Sequence, residues 1–255
     1  MNNTLDGGMS MNKMIRCRNT NNRKVAVLLV LQVFCGIAPF LLLLAFLFFK
    51  LYHNKPLAIV MIILIFLCNV AYSMLARRYN VLNSGRHGER QLFKAIKKLS
   101  GNNIVFTNLP VRYKRGRSEV DMLLISHKGI IIIEVKNHSG TIHGNWRADK
   151  WEQRKYYKDK NTVIEMDNPI KQMRRQRDIV KSILNAAGEN VWIDTVLYFS
   201  SNNVKLKLNL RENDYICQGK QELVHFLENY DRGVILSKVQ MEKYARILND
   251  ARANI

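Results

Sequence analysis

Two acidic residues and a lysine stand in an order that suits phosphodiester chemistry. Asp121 lies in one predicted strand, and Glu134-Val-Lys136 ends the next strand, after a run of four isoleucines. Residues two apart in a strand share a face, so Glu134 and Lys136 point the same way, and a short hairpin at 127–129 brings Asp121 beside them. Charges at the end of so apolar a run indicate a site, although Glu134 could simply pair with Lys136.

The chemistry available to this set is metal-assisted hydrolysis. Two carboxylates can hold Mg²⁺ (or Mn²⁺), a hard ion that prefers oxygen ligands, and Glu89 on a nearby helix could supply a third. Such a metal can polarise a phosphate and lower the pKa of a bound water. Lys136 could orient that water or stabilise the charge that develops on the phosphoryl group. We therefore expect Glu89, Asp121, Glu134 and Lys136 to be catalytic, with the three acids as metal ligands.

The elements that must position these residues form a mixed α/β order. Hydrophobic periodicity predicts an amphipathic helix at 88–99 and strands at 104–111, 119–126, 130–136 and 191–200. Asn168 as N-cap and Pro169 as first residue predict a basic helix over 169–187. The intervening stretch 142–165 suggests an irregular hairpin, and two more helices are predicted at 220–230 and 238–252. This order predicts a mixed sheet flanked by helices.

At this level of detail the sequence resembles the nuclease-related domain (NERD), a family of the PD-(D/E)xK nuclease superfamily. The resemblance covers residues 84–200 and rests on Gly88-Glu89, Ser118-Glu-Val-Asp121, the run from Gly129 to Asn137, Gly140-Thr-Ile142, Trp151-Glu-Gln153 and Asn168-Pro-Ile-Lys-Gln172. It implies a restriction-endonuclease-like core, a nuclease role in DNA processing, and catalytic roles for Glu89, Asp121, Glu134 and Lys136.

Further residues are candidates for binding the substrate. Gln153 and Gln172 match polar positions of the family, where an amide could contact substrate or cap a neighbouring strand. Lys171, Arg174 and Arg175 crowd the polar side of the predicted basic helix and are candidate contacts for nucleic acid. Trp146 and Trp151 lie among basic residues, a pattern that suits single-stranded nucleic acid and suits a packed hairpin about as well.

The N-terminal third has a different character, with two uncharged apolar runs at 25–49 and 57–75. Each is long enough to cross a hydrocarbon core of about 30 Å, and a polar turn at 50–56 joins them. Lys and Arg are concentrated before the first run and after the second, which predicts that both termini are cytoplasmic, at a bacterial-type inner (plasma) membrane. We expect a disordered basic tail at 1–24, a basic linker at 76–83, the nuclease-related domain at 84–200 and a helical extension at 201–255.

The net positive charge of the chain favours polyanions as binding partners. Forty Lys and Arg stand against 20 Asp and Glu, and after residue 88 the balance is still 30 against 19. Such a surface suits nucleic acid or anionic lipid of the bilayer, or is simply a solvated basic face beside a membrane. The resemblance to the nuclease-related domain implies that the nucleic acid is DNA. The four cysteines form no CxxC pair, so the sequence contains no zinc ribbon.

Three functions fit these observations. The first is a membrane-anchored, metal-dependent nuclease that acts at the cytoplasmic membrane face. The second is a catalytically inactive nuclease fold that binds DNA. The third is a membrane-surface scaffold whose positive charge binds anionic lipid.

Overall fold

The computed structural model of the protein describes residues 12–17, 20–157 and 160–253. The chain divides into a helical unit at 19–86 and a second unit formed by 1–18 and 87–255. The two units are described separately below.

The helical unit consists of two long helices, α1 (Thr20–Phe48) and most of α2 (Lys55–Ile96), with a single 3-10 turn at Leu51–His53 between them. Their large apolar side chains are mostly exposed, as Phe34 and Phe66 illustrate. Both helices are long and apolar enough to cross a membrane, as the two uncharged runs predicted.

The predicted start of a separate helix at residue 88 is wrong, whereas the bounds of the membrane span and of the linker stay predictions. The span at 57–75, the linker at 76–83 and the helix at 88–99 form one continuous helix, α2, which ends at Ile96. The intervening sequence contains no proline, and single glycines such as Gly85 and Gly88 each cost a helix only about 1 kcal/mol. The residues from His87 onward belong to the second unit.

The second unit is built on a six-stranded mixed sheet. Its spatial order is β1 (Lys13–Arg16), β2 (Ile104–Tyr113), β3 (Gly116–Ser126), β4 (Gly129–Lys136), β8 (Ile193–Phe199) and β10 (Tyr215–Gln218). Strands β2, β3 and β4 pair antiparallel, whereas β1 pairs parallel with β2, and β8 pairs parallel with both β4 and β10. The predicted mixed sheet flanked by helices is confirmed.

The isoleucine run of β4 is buried on both faces of this sheet. Ile130 and Ile132 join a core cluster with α3 (Pro169–Ala186) and α5 (Lys238–Ala253). Ile131 and Ile133 join a second cluster with the end of α2 and with α4 (Gly219–Asn229). Glu134 and Lys136 continue the even-numbered positions, so they point to the α3 side of the sheet.

A second sheet of four strands replaces the predicted irregular hairpin at 142–165. Its order is β7 (Lys160–Asp167), β6 (Lys150–Tyr157), β5 (Gly140–Asn145) and β9 (Val204–Asn209). Residues 158 and 159 lie outside the described residues. Because β9 and β10 belong to the two sheets, the segment 201–255 is not the purely helical extension that the sequence predicted.

The predicted disorder at 1–24 is wrong for the residues that the structure describes there. Strand β1 pairs with β2 from Lys13 to Arg16, and α1 begins at Thr20. The Asn12 amide donates to the carbonyls of Ile96 and Leu99, both at 3.3 Å, which fixes the approach of β1 to the end of α2. The prediction for residues 1–11 and 18–19 lies outside the described part of the chain.

Candidate active site

The candidate site lies in a fork between β3 and β4. The last pair of residues joined across these strands is Met122 with Ile133, and the next register positions hold Asp121 and Glu134. Asp121 Oδ2 instead accepts a hydrogen bond from the backbone N–H of Val135 at 2.9 Å. Strand β3 stays paired with β2, and β4 stays paired with β8 as far as Lys136. The β3–β4 pairing therefore ends at the two carboxylates, while each strand stays paired with its other neighbour.

Glu134 is buried but has a hydrogen-bond donor at each carboxylate oxygen. Its side chain is only 2% exposed, and Lys136 Nζ lies 2.7 Å from Oε1. Gln176 Nε2 donates to Oε2 at 2.9 Å. Without these partners an ionised carboxylate would be unstable at such burial. The pairing of Glu134 with Lys136 and their convergence beside Asp121 are therefore both present in the structure.

Helix α3 supplies two amides to the site. Gln172 Oε1 accepts from Lys136 Nζ at 3.1 Å, so this ammonium is held between Gln172 and Glu134. One turn later, Gln176 donates to Glu134 and also to the backbone carbonyl of Glu119 at 2.8 Å, which ties α3 to both arms of the fork. Gln176 is fully buried, and its Oε1 has no hydrogen-bond partner among the described residues.

Sequence reasoning identified Gln172 but missed Gln176. The signal was available, because Gln176 lies four residues after Gln172 on the same helical face. It also sits among the apolar positions Met173, Ile179 and Val180, where a glutamine needs a buried partner.

The N-terminus of α3 is fixed by Asn168, as predicted. Its Oδ1 accepts from the N–H groups of Ile170 and Lys171, at 2.9 and 3.4 Å. Its Nδ2 donates to three backbone carbonyls of the turn between β5 and β6, those of Asn145, Trp146 and Ala148. The cap therefore also anchors that turn to the helix that carries Gln172 and Gln176.

Two neighbouring acids, Asp121 and Glu134, dominate the electrostatics of the fork. Burial, and next the charge of Glu134, raise the pKa of Asp121 well above its ordinary value of 3.8, and Glu89 raises it further. The Val135 hydrogen bond and Lys136 act in the opposite direction. An added cation would relieve this repulsion.

The same surroundings keep His138 neutral at pH 7. Burial, followed by the charges of Lys136 and Lys155, lowers the pKa of its imidazole to about 4. Gln153, which is buried, makes a side-chain hydrogen bond with His138 and donates to the Ser139 carbonyl at 2.8 Å. Of the two roles considered for Gln153, these contacts favour the cap of a neighbouring strand.

The carboxylates fit a cation that takes few protein ligands. Asp121 and Glu134 offer oxygen donors, and Glu89 acts on Asp121 through its charge. Among the described residues there is no group of three or more His, Cys, Asp or Glu side chains that could enclose a metal ion. Mg²⁺ suits a site of this kind, because it commonly keeps several waters and binds protein through one or two carboxylates. Glu89 as a third ligand stays a prediction.

The basic residues predicted to bind substrate line a neighbouring groove. Arg174 forms an ion pair with Asp214, in which its Nη2 lies 2.7 Å from Oδ1 and 2.9 Å from Oδ2. Lys171 forms an ion pair with Asp149. With Arg175 they line a groove of about 450 Å³, whose other walls include Tyr113 and Gly116 of the hairpin between β2 and β3. The structure therefore brings Asp121, Glu134, Lys136 and Gln172 together and places Lys171, Arg174 and Arg175 along the adjacent groove.

Comparison with known proteins gives one family match. The family model of the nuclease-related domain (NERD) matches residues 84–200. That range contains Asp121, Glu134 and Lys136 and the part of α3 that holds them. No curated protein and no solved structure gives a significant match to the chain.

Proposed function

We propose that this chain, whose residues 84–200 are a nuclease-related domain, is a membrane-anchored, metal-dependent nuclease that hydrolyses phosphodiester bonds of nucleic acid, above all DNA. The observation that carries the proposal is the convergence of Asp121, Glu134 and Lys136 at the fork between β3 and β4. An ion pair made only for stability would not need a second carboxylate whose charge raises the free energy of the folded state.

The side chains have distinct tasks in this mechanism. Asp121 and Glu134 would hold Mg²⁺ or Mn²⁺, which polarises the phosphate and makes a bound water more acidic. The Lys136 side chain is partly exposed, and its ammonium, held by Glu134 and Gln172, can stabilise negative charge on a phosphoryl oxygen. Gln176 keeps the Glu134 carboxylate in one orientation.

The basic groove along α3 extends this assignment to a polyanionic substrate. Lys171 and Arg175 are exposed, and both line the groove with Arg174. Phosphate contacts of this type give affinity without sequence preference and weaken as salt rises.

Cleavage by the full-length chain in lipid nanodiscs tests the proposal. The substrates are labelled single- and double-stranded DNA and RNA, with Mg²⁺ or Mn²⁺ and with a chelator. We expect metal-dependent cleavage that Asp121→Asn abolishes and that Asp250→Asn, an exposed acid on α5, retains. Folded protein that binds these substrates but leaves all of them intact would refute the nuclease and favour the DNA-binding module.

The membrane anchor is a separate part of the proposal, supported by two exposed apolar helices. The excess of Lys and Arg on both sides of the pair favours cytoplasmic termini. In a chain without its native cysteines, Asn54→Cys between the helices should react with a membrane-impermeant maleimide in intact cells. Lys205→Cys should react only after lysis, and equal labelling of both in intact cells would contradict this topology.

A further inference from the structure

Three arginines surround a single indole at one edge of the second sheet. The guanidinium carbon of Arg211 lies 3.6 Å from the ring centroid of Trp146, that of Arg147 at 4.8 Å and that of Arg174 at 5.6 Å. They come from three separate segments, the stretch after β9, the turn between β5 and β6, and α3. We refer to Trp146, Arg147, Arg174 and Arg211 as the Trp146 cluster.

The cluster differs from a tryptophan that serves only as core. Trp151, on the adjacent strand β6, is 1% exposed, and its ring N–H donates to the Asn145 carbonyl at 3.0 Å. Trp146 is only partly buried, and Arg147 and Arg211 are exposed. The two tryptophans that the sequence could not distinguish therefore have different surroundings, and within the described residues it is Trp146 of these two that has arginines against its ring.

The charge of the cluster is only partly neutralised. Asp214 binds the Arg174 guanidinium through both carboxylate oxygens and accepts the backbone N–H of Arg211. Within the described part of the chain, neither Arg147 nor Arg211 forms an ion pair with an acid. Two like charges held close together without a counterion raise the free energy of the fold, and a bound anion would remove that cost.

The cluster is also held rigidly. The Asn168 amide donates to the carbonyls on both sides of Arg147, those of Trp146 and Ala148, and Trp146 N–H donates to the Asn209 carbonyl at 3.0 Å. Stacking on an indole fixes the plane of a guanidinium and leaves its N–H edge open to a phosphate. The arginines are thus positioned before any ligand arrives, which lowers the entropy lost on binding.

We propose that Arg147 and Arg211, stacked on Trp146, form a second contact site for the phosphodiester backbone of the nucleic acid that enters the fork. The identity of this ligand rests on the proposed function. The position supports it, because Asn168 anchors the cluster turn and Gln172, four residues later on α3, contacts Lys136. The first turn of α3, about 6 Å of helix at 1.5 Å per residue, therefore connects the cluster turn to the residue that contacts Lys136.

The test measures DNA affinity in the absence of cleavage. Full-length protein carrying Asp121→Asn is placed in nanodiscs of neutral lipid with a chelator, and the anisotropy of labelled DNA is followed at increasing KCl. Arg147→Gln with Arg211→Gln should weaken binding on the order of tenfold, and should make the slope of log affinity against log salt less negative by about 2. The matched control is Lys238→Gln with Arg246→Gln, two exposed cations on α5, which should leave that slope nearly unchanged.

Three results would overturn the inference. These are a parent protein that does not bind DNA, a cluster variant that binds with the affinity and salt slope of the parent, and a cluster variant that retains DNA affinity but loses binding of soluble short-chain phosphatidylglycerol. The last would assign the cluster to lipid headgroups. Cleavage is assayed separately with Asp121 intact. Cluster-dependent binding without cleavage would refute the nuclease and leave the cluster supported, whereas cleavage with unchanged binding would refute only the cluster.

Discussion

Asp121 Oδ2 accepts a hydrogen bond from the backbone N–H of Val135 at 2.9 Å, at the position where the pairing of β3 with β4 would have continued. This hydrogen bond satisfies a donor that the diverging strands leave unpaired, and it holds the Asp121 carboxylate beside Glu134. One contact therefore both ends the strand pairing and brings together two acids whose charges repel. The first prediction follows from this double role.

Replacing Asp121 should make the protein more stable while it removes cleavage. Burial and the Glu134 charge raise the pKa of Asp121, so its ionised form is disfavoured in the folded chain relative to the unfolded one. Asn keeps an oxygen for Val135 N–H without the charge. In neutral detergent at pH 7 with a chelator, Asp121→Asn should raise Tm by about 2–4 °C.

The pH dependence of that gain has a definite sign. The folded pKa lies above the ordinary value of 3.8, so the cost in the parent is present above the raised pKa and absent below about 3.8. The difference in Tm between Asp121→Asn and the parent should therefore shrink as pH falls through this window. Asp178→Asn should show no such gain, and an Asp121→Asn variant with lowered Tm at pH 7 would contradict the assignment.

Lys136 and Glu134 should behave as a unit in stability. Lys136→Met leaves the Glu134 carboxylate buried without its cation, which should lower the free energy of unfolding by about 3 kcal/mol. Adding Glu134→Gln removes the charge and should recover most of that loss, although cleavage stays absent. Thermal unfolding of the two single variants and the double variant measures the coupling. A double variant whose loss of stability equals the sum of the two single losses would show that the pair is not coupled.

Gln176 should be a positioning residue for Glu134. Gln176→Leu leaves Glu134 Oε2 and the Glu119 carbonyl without their shared donor, at a cost of about 2 kcal/mol. Because the substrate does not touch this side chain, kcat should fall while KM stays near that of the parent. Arg177→Gln, the next residue and a surface ion-pair partner of Asp178, is the control and should retain both constants. An unchanged kcat in stable Gln176→Leu would remove this role.

Two glycines of α2 should respond oppositely to alanine. A Cβ on Gly88 would lie 2.8 Å from Ser200 Oγ and 3.0 Å from Val135 Cγ1, whereas one on Gly85 would meet nothing within 4 Å. Helix propensity alone favours alanine at both positions by up to about 1 kcal/mol. We expect Gly85→Ala to raise Tm slightly, and Gly88→Ala to lower Tm and cleavage by displacing Glu89 from Asp121. Equal effects of both on Tm and cleavage would contradict the close approach.

Local sequence signals determined much of this protein. Hydrophobic periodicity and the isoleucine run predicted β3 and β4. The Asn168-Pro169 cap predicted the start of α3, and the two uncharged runs predicted helices that could span a membrane. These signals act within a few residues, through side-chain periodicity and caps, and so can be read without the fold. The order of Asp121, Glu134 and Lys136 indicated the site for the same reason.

The tertiary structure decided what depends on distant partners. Gln176 became part of the site because α3 packs across the fork, and Trp146 differs from Trp151 because three separate segments bring arginines to it. Strand β1 exists because β2 offers it an edge, although its own four residues carry almost no strand signal. Such contacts join residues far apart in the chain. Only the fold could therefore determine which side chains donate hydrogen bonds to the buried Glu134 carboxylate.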